Sequence, residues 1–132
     1  MNLELDELYL NPNVYIASSE IHRWGIFTKK DIAQYDVIQE SPYCTFPEEE
    51  LHDSPTIERY AYAAEVSTEV DEMVLGFGFA PMFNHSTDPN CAYILDTVNE
   101  VMRHYAIRDI KAGEELLINY GGDDDLFEGD EY

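Results

Sequence analysis

The alternation of apolar and polar positions predicts a chain of short strands with little helix. Val14 to Ala17 suits a pleat, and so does Val37 to Glu40; Ser41-Pro42-Tyr43 then breaks the pattern before Tyr43 to Phe46 resumes it. Met73 to Phe79, MVLGFGF, is an apolar run of strand length, and its Gly76 and Gly78 predict close packing beneath the loop that follows. Ala92 to Leu95 and Val101 to Ile107 flank the polar Asp96 to Glu100, as the arms of a hairpin would. A Lys-Ala-Gly turn leads into a last apolar strand, Leu116 to Ile118. Only one segment has a helical period. Ser54 is a cap with Pro55 at the first position, and Ile57, Tyr60, Ala61 and Ala64 follow on one face, predicting a helix of about three turns.

Two stretches carry more polar chemistry than strand connections need. Phe83 to Cys91, FNHSTDPNC, crowds Asn, His, Ser and a tight Asp-Pro-Asn turn into one loop, whose side chains fold back on the backbone and stiffen it. Such a loop is either an Asx-rich turn or a rigid ligand site. The second, GEELLINYGG at 113–122, ends a strand with a tyrosine beside two glycines, which allows a ligand to approach the phenol closely.

Taken in order, RWGIF at 23–27, the NHS-x-x-PN segment and the GEEL-x-x-x-YG segment resemble the SET domain, the fold of most protein lysine methyltransferases. The resemblance covers roughly residues 14–127. It implies a β-rich α+β fold of several short sheets with one main helix and a C-terminal segment threaded under the NHS loop. It also implies S-adenosylmethionine as cofactor, with Tyr120 as the catalytic tyrosine at the methyl-transfer site. Asn84 and His85 are implied to contact the cofactor, together with Gly25, Trp24 and a tail residue over the adenine, Phe127, with Leu126 and Tyr132 as alternatives. The family has a G-x-G pair at 23–25, and here Arg23 replaces its first glycine. Arg23 must then point away or pair with the cofactor's carboxylate. Tyr35 likewise stands where the family often has glycine, so that turn is expected to use another geometry. For Trp24 a place in the core is an equal reading, and for His85 a structural role.

The lysine channel implied by the resemblance is lined by Tyr43, Tyr60, Tyr93 and Ile118, although Tyr60 in an apolar stripe is more often core. Tyr93 and Ile118 occupy two positions that set how many methyl groups fit, and a hydroxyl at Tyr93 with no phenylalanine at 118 implies mainly monomethylation. Zinc-bearing relatives use the cysteine after the NHS segment with a later triplet; no cysteine follows Cys91, so no metal is expected.

Charge narrows the partner. The 132 residues hold 28 Asp and Glu against 7 Lys and Arg, a net charge of −21. Direct nucleic-acid binding is disfavoured, because phosphate contacts need clustered cations, whereas a basic protein such as a histone or ribosomal protein is attracted. Solubility alone also accounts for acidity. The length suits one SET domain: an N-terminal arm at 1–13, the core at 14–122 and an acidic tail at 123–132. No apolar run reaches the roughly 20 residues of a membrane span and no signal peptide is evident, so a soluble intracellular protein is expected. A domain this small can complete a substrate groove with a second copy, which makes a homodimer an expectation. Two rival readings stay open: a non-catalytic SET-like module binding basic polypeptides, and an acidic mimic of nucleic acid.

Overall fold

A computed structural model describes residues 7–58, 60–63 and 72–119. In chain order the elements are β1 (Val14–Ser18), β2 (Trp24–Thr28), β3 (Val37–Pro47), a 3-10 turn (Glu48–Asp53), α1 (Pro55–Glu58), β4 (Ala61–Ala63), β5 (Glu72–Gly76), a second 3-10 turn (Ala80–Met82), β6 (Asn84–His85), β7 (Cys91–Asp96), β8 (Val101–Ala106) and β9 (Leu117–Ile118). They form a β1-β2 hairpin, a five-stranded sheet in the order β4-β5-β3-β8-β7, and a small parallel pair of β6 with β9.

Long β3 organises the main sheet by changing partners along its length. Val37 to Pro42 pair with β8, and Tyr43 to Pro47 pair with β5. Pro42 sits at the changeover, where its missing N–H costs no ladder bond, so the expected break at Ser41-Pro42-Tyr43 is instead a continuous strand. The Pro42 carbonyl still accepts the Phe77 N–H at 3.0 Å. Beneath the sheet Ile26, Ile38, Val74, Phe83, Met102, Ile110, Leu116 and Ile118 are fully buried and make one core.

Three expectations need correction. The helix after Ser54 starts at Pro55 but ends at Glu58 after a single turn. Ala61 to Ala63 instead pair with Met73 to Leu75, and Tyr62 is buried. The Tyr-Ala-Tyr-Ala alternation has a strand period as well as a helical one, and the open edge of β5 decides between them by satisfying the backbone. Met73 to Phe79 is a strand only as far as Gly76, because Gly78 takes φ +63 and turns the chain toward the 3-10 turn. Gly76 does pack closely: a Cβ there would lie 2.7 Å from that of Ala80, just ahead of the NHS loop. At Tyr35 the left-handed geometry that favours glycine persists, φ being +74 with the side chain 70% exposed.

The hairpin forms as expected, β7 against β8 in unbroken register from Cys91↔Ala106 to Asp96↔Val101. Its turn is held by Asp96, whose carboxylate accepts the Val98 and Asn99 N–H groups and the Asn99 amide, and these Asn99 bonds keep its carboxyl below the usual range. Among the described residues no helix is long and apolar enough to cross a membrane.

Candidate active site

The stretch after Gly113 stands between the other two polar motifs. On one side Leu116 donates to the Ile26 carbonyl at 2.8 Å, and Glu115 bridges to Phe27. On the other side β9 runs parallel to β6, with Asn84 opposite Leu117 and His85 opposite Ile118. Asn90, the buried asparagine of the Asp-Pro-Asn turn, binds it a third time. Its amide nitrogen donates to the Glu115 carbonyl at 2.9 Å, and its amide oxygen accepts the Leu117 N–H at 2.8 Å. The turn residues thus clamp one motif onto another, and the loop is more than a connection.

Side chains complete the junction. The Glu115 carboxylate accepts the Ser19 hydroxyl at 2.9 Å and the Asn84 amide at 2.8 Å, and the same amide nitrogen donates to the Trp24 carbonyl at 2.9 Å. Gly25 lies against this cluster. A Cβ there would overlap the Glu115 carboxylate and sit 3.0 Å from the Asn84 amide nitrogen, so a larger residue would have to push that carboxylate out of its bonds. Trp24 is not a core residue: it is 44% exposed, and the Arg23 guanidinium stacks 4.2 Å from its ring centroid. An exposed indole and a guanidinium adjoin the buried Gly25 and Asn84. That set suits a ligand with an aromatic base and a carboxylate, as S-adenosylmethionine has.

Of the residues expected to line a lysine channel, Tyr43 is buried on β3 and Tyr93 is half-buried on β7, packed against the same core. Burial, with Glu100 and Asp96 nearby, raises the Tyr43 phenol's pKa, so it stays a neutral hydroxyl. Ile118 is buried on β9. Tyr60 stands in the turn after α1, part-exposed, and is not on a helical face. Tyr120, Leu126, Phe127 and Tyr132 lie outside the described residues. Cys91 is buried with its thiol 3.3 Å from the Asn90 amide oxygen, and burial pushes its pKa well up, which leaves it unreactive.

Nothing in the sequence singled out Ser19, Asn90 and Glu115 as the residues that join the motifs. A buried set beside Tyr93 was equally unmarked. His104, fully buried on β8, has Nδ1 2.8 Å from the Gln39 amide nitrogen and Nε2 3.0 Å from the Tyr62 hydroxyl. Their only sequence signal is polar residues at inward strand positions. A shallow hollow lined by Tyr9, Asn11, Asp36, Val37 and Glu40 shares no residue with the motifs.

Residues 23–121 match the SET domain. The chain belongs to the SET domain family. Among its SET relatives, a histone-lysine N-methyltransferase of Schizosaccharomyces pombe, H3 lysine-37 specific, is 34% identical over 100 residues, which cover 74% of this chain and 65% of that protein. One of Eremothecium gossypii, H3 lysine-4 specific, is 32% identical over 116 residues, covering 81% of this chain and 12% of that protein. The chain therefore spans from about an eighth to just under two thirds of these relatives' lengths. The SET fold is also shared with a crystal structure of a candidate histone methyltransferase from Plasmodium falciparum, with a TM-score of 0.65 and 28% identity over 82% of this chain and 96% of that one.

Proposed function

We propose that the chain is an S-adenosylmethionine-dependent protein-lysine N-methyltransferase acting on a basic protein or tail such as a histone. The observation that carries this reading is the junction of β2, the NHS loop and the stretch leading into β9, where Gly25, Asn84 and Glu115 meet. Arg23, Trp24, Gly25, Asn84 and His85 would hold the cofactor, with Phe127 over its adenine. The cofactor supplies a methyl group on a positively charged sulfur.

The protein's own task is to present a neutral lysine amine in line and to exclude water. Free lysine has a pKa near 10.4, so the channel must favour the neutral form. A water-poor channel of neutral phenols disfavours a second positive charge. Tyr43 and Tyr93 supply such phenols, and Tyr120, by the family pattern, places its oxygen at the transfer site. Hydroxyls can accept the amine hydrogens and orient its lone pair, and each such bond takes space that a further methyl would need. Monomethyl-lysine is the product this arrangement favours. The net charge of −21 draws the basic substrate in.

Arg23 at a glycine position favours a second reading, a non-catalytic module that binds basic polypeptides. Incubation with labelled cofactor and a panel of histones and ribosomal proteins separates the two. Labelled lysine, lost in Tyr120→Phe, supports the enzyme; binding of the basic proteins without transfer supports the module.

A further inference from the structure

The buried set beside Tyr93 has a defined direction. The Tyr62 hydroxyl donates to the Ala80 carbonyl at 2.6 Å, so toward His104 it can only accept. His104 Nε2 therefore carries the proton, and Nδ1 accepts from the Gln39 amide. The imidazole lies flat on Phe83, centroids 4.0 Å apart and planes 5° from parallel, one residue before Asn84. Tyr62 in turn meets Tyr93 edge-to-face at 4.6 Å and 87°. Four elements thus fix one ring: β3 through Gln39, β8 through His104, β4 through Tyr62, and the NHS loop through Phe83.

An apolar pair would fill the same space without the desolvation cost of burying an imidazole and a phenol. What the hydrogen bonds add is orientation: Tyr62 cannot rotate or slide without orphaning a buried donor. The ring it steadies is that of Tyr93. We propose that Tyr62 and His104 are positioning residues that hold the Tyr93 phenol in place and so limit the number of methyl groups transferred. This rests on the lysine-methyltransferase reading above.

The test compares Tyr62→Phe and the double variant Tyr62→Phe/His104→Leu with the wild type on core histones, reading the ratio of dimethyl- to monomethyl-lysine by mass spectrometry. Tyr62→Phe should raise that ratio about fivefold, the scale of one net hydrogen bond, while the cofactor KM changes less than about twofold. The double variant replaces both polar partners and should melt near the wild-type temperature, yet keep the raised ratio. It also carries the test if the single variant does not fold. A ratio unchanged in Tyr62→Phe, or restored in the double variant along with stability, overturns the proposal and leaves the set a packing device. Failure of the wild type to methylate any histone or ribosomal protein is a different result, against the enzyme reading. The flip rate of the Tyr93 ring, from aromatic NMR relaxation, then still decides the positioning claim. It should rise about fivefold in the double variant, and an unchanged rate overturns the claim.

Discussion

Two polar clusters lie on either side of the NHS loop, and they are built on opposite principles. At Gly25 a part-exposed, charged group gathers the others: the Glu115 carboxylate accepts from part-exposed Ser19 and buried Asn84. At His104 every group is buried and neutral, and the proton positions follow from the hydrogen bonds alone. A charged acceptor at the surface tolerates small movements, because water replaces what the protein withdraws. A sealed neutral set does not, since each lost partner leaves an orphan. The first cluster suits a cofactor that must enter and leave, and the second suits a ring that must stay still.

The sharpest way to break this contrast is to fill Gly25. In Gly25→Ala the new Cβ displaces the Glu115 carboxylate from Ser19 and Asn84, and stability should fall by about 1–3 kcal/mol. In a Glu115→Ala background the same substitution should cost at least about 1 kcal/mol less, measured by urea unfolding of the four-member cycle. Additive losses would mean that Gly25 answers to backbone geometry instead.

This cluster was half legible in the sequence. Gly25, Asn84 and the Gly-Glu-Glu-Leu stretch belong to motifs whose residue types are unusual for strand ends, and they led to the SET fold. Which glutamate turns inward, and that Ser19 meets it across 96 positions, depends on an isolated bridge between Glu115 and Phe27 that no local pattern encodes. The His104 cluster was illegible, since Gln39, Tyr62 and His104 come from three distant strands and each alone reads as an ordinary strand residue. Tyr62 was further hidden because a Tyr-Ala alternation fits both helix and strand. Pro42 misled in the other direction, marking a change of partner where a break was expected.

Acid sharpens the comparison. Burial lowers the His104 pKa to about 3. The unfolded chain, with an ordinary pKa near 6.5, takes up this proton first, so the neutral ring's contribution is complete above about pH 6.5 and is lost as pH falls toward 3. The slope is at most about 1.4 kcal/mol per pH unit. Tyr62→Phe/His104→Leu should show a flatter decline in chemical denaturation over that window. The carboxylates titrate in both proteins, so the difference between the curves isolates the histidine, and equal slopes would place His104 in contact with water.

A smaller effect is expected outside both clusters. Tyr35 holds φ +74 with an exposed ring, so Tyr35→Gly should relieve backbone strain and stabilise by about 0.5–1 kcal/mol after the entropy cost of glycine. An unchanged or lower melting temperature would show that its ring contributes packing of equal size.

The most direct measurement is the product itself. Wild-type protein, S-adenosylmethionine and core histones or ribosomal proteins are incubated to completion, and the modified lysine is read by mass spectrometry. The expected product is lysine carrying one methyl group, with dimethyl-lysine rising in Tyr93→Phe as a hydroxyl leaves the channel. Mostly trimethyl-lysine from the wild type would contradict the tyrosine-lined channel, and no methylated lysine on core histones or on ribosomal proteins would contradict the proposed activity.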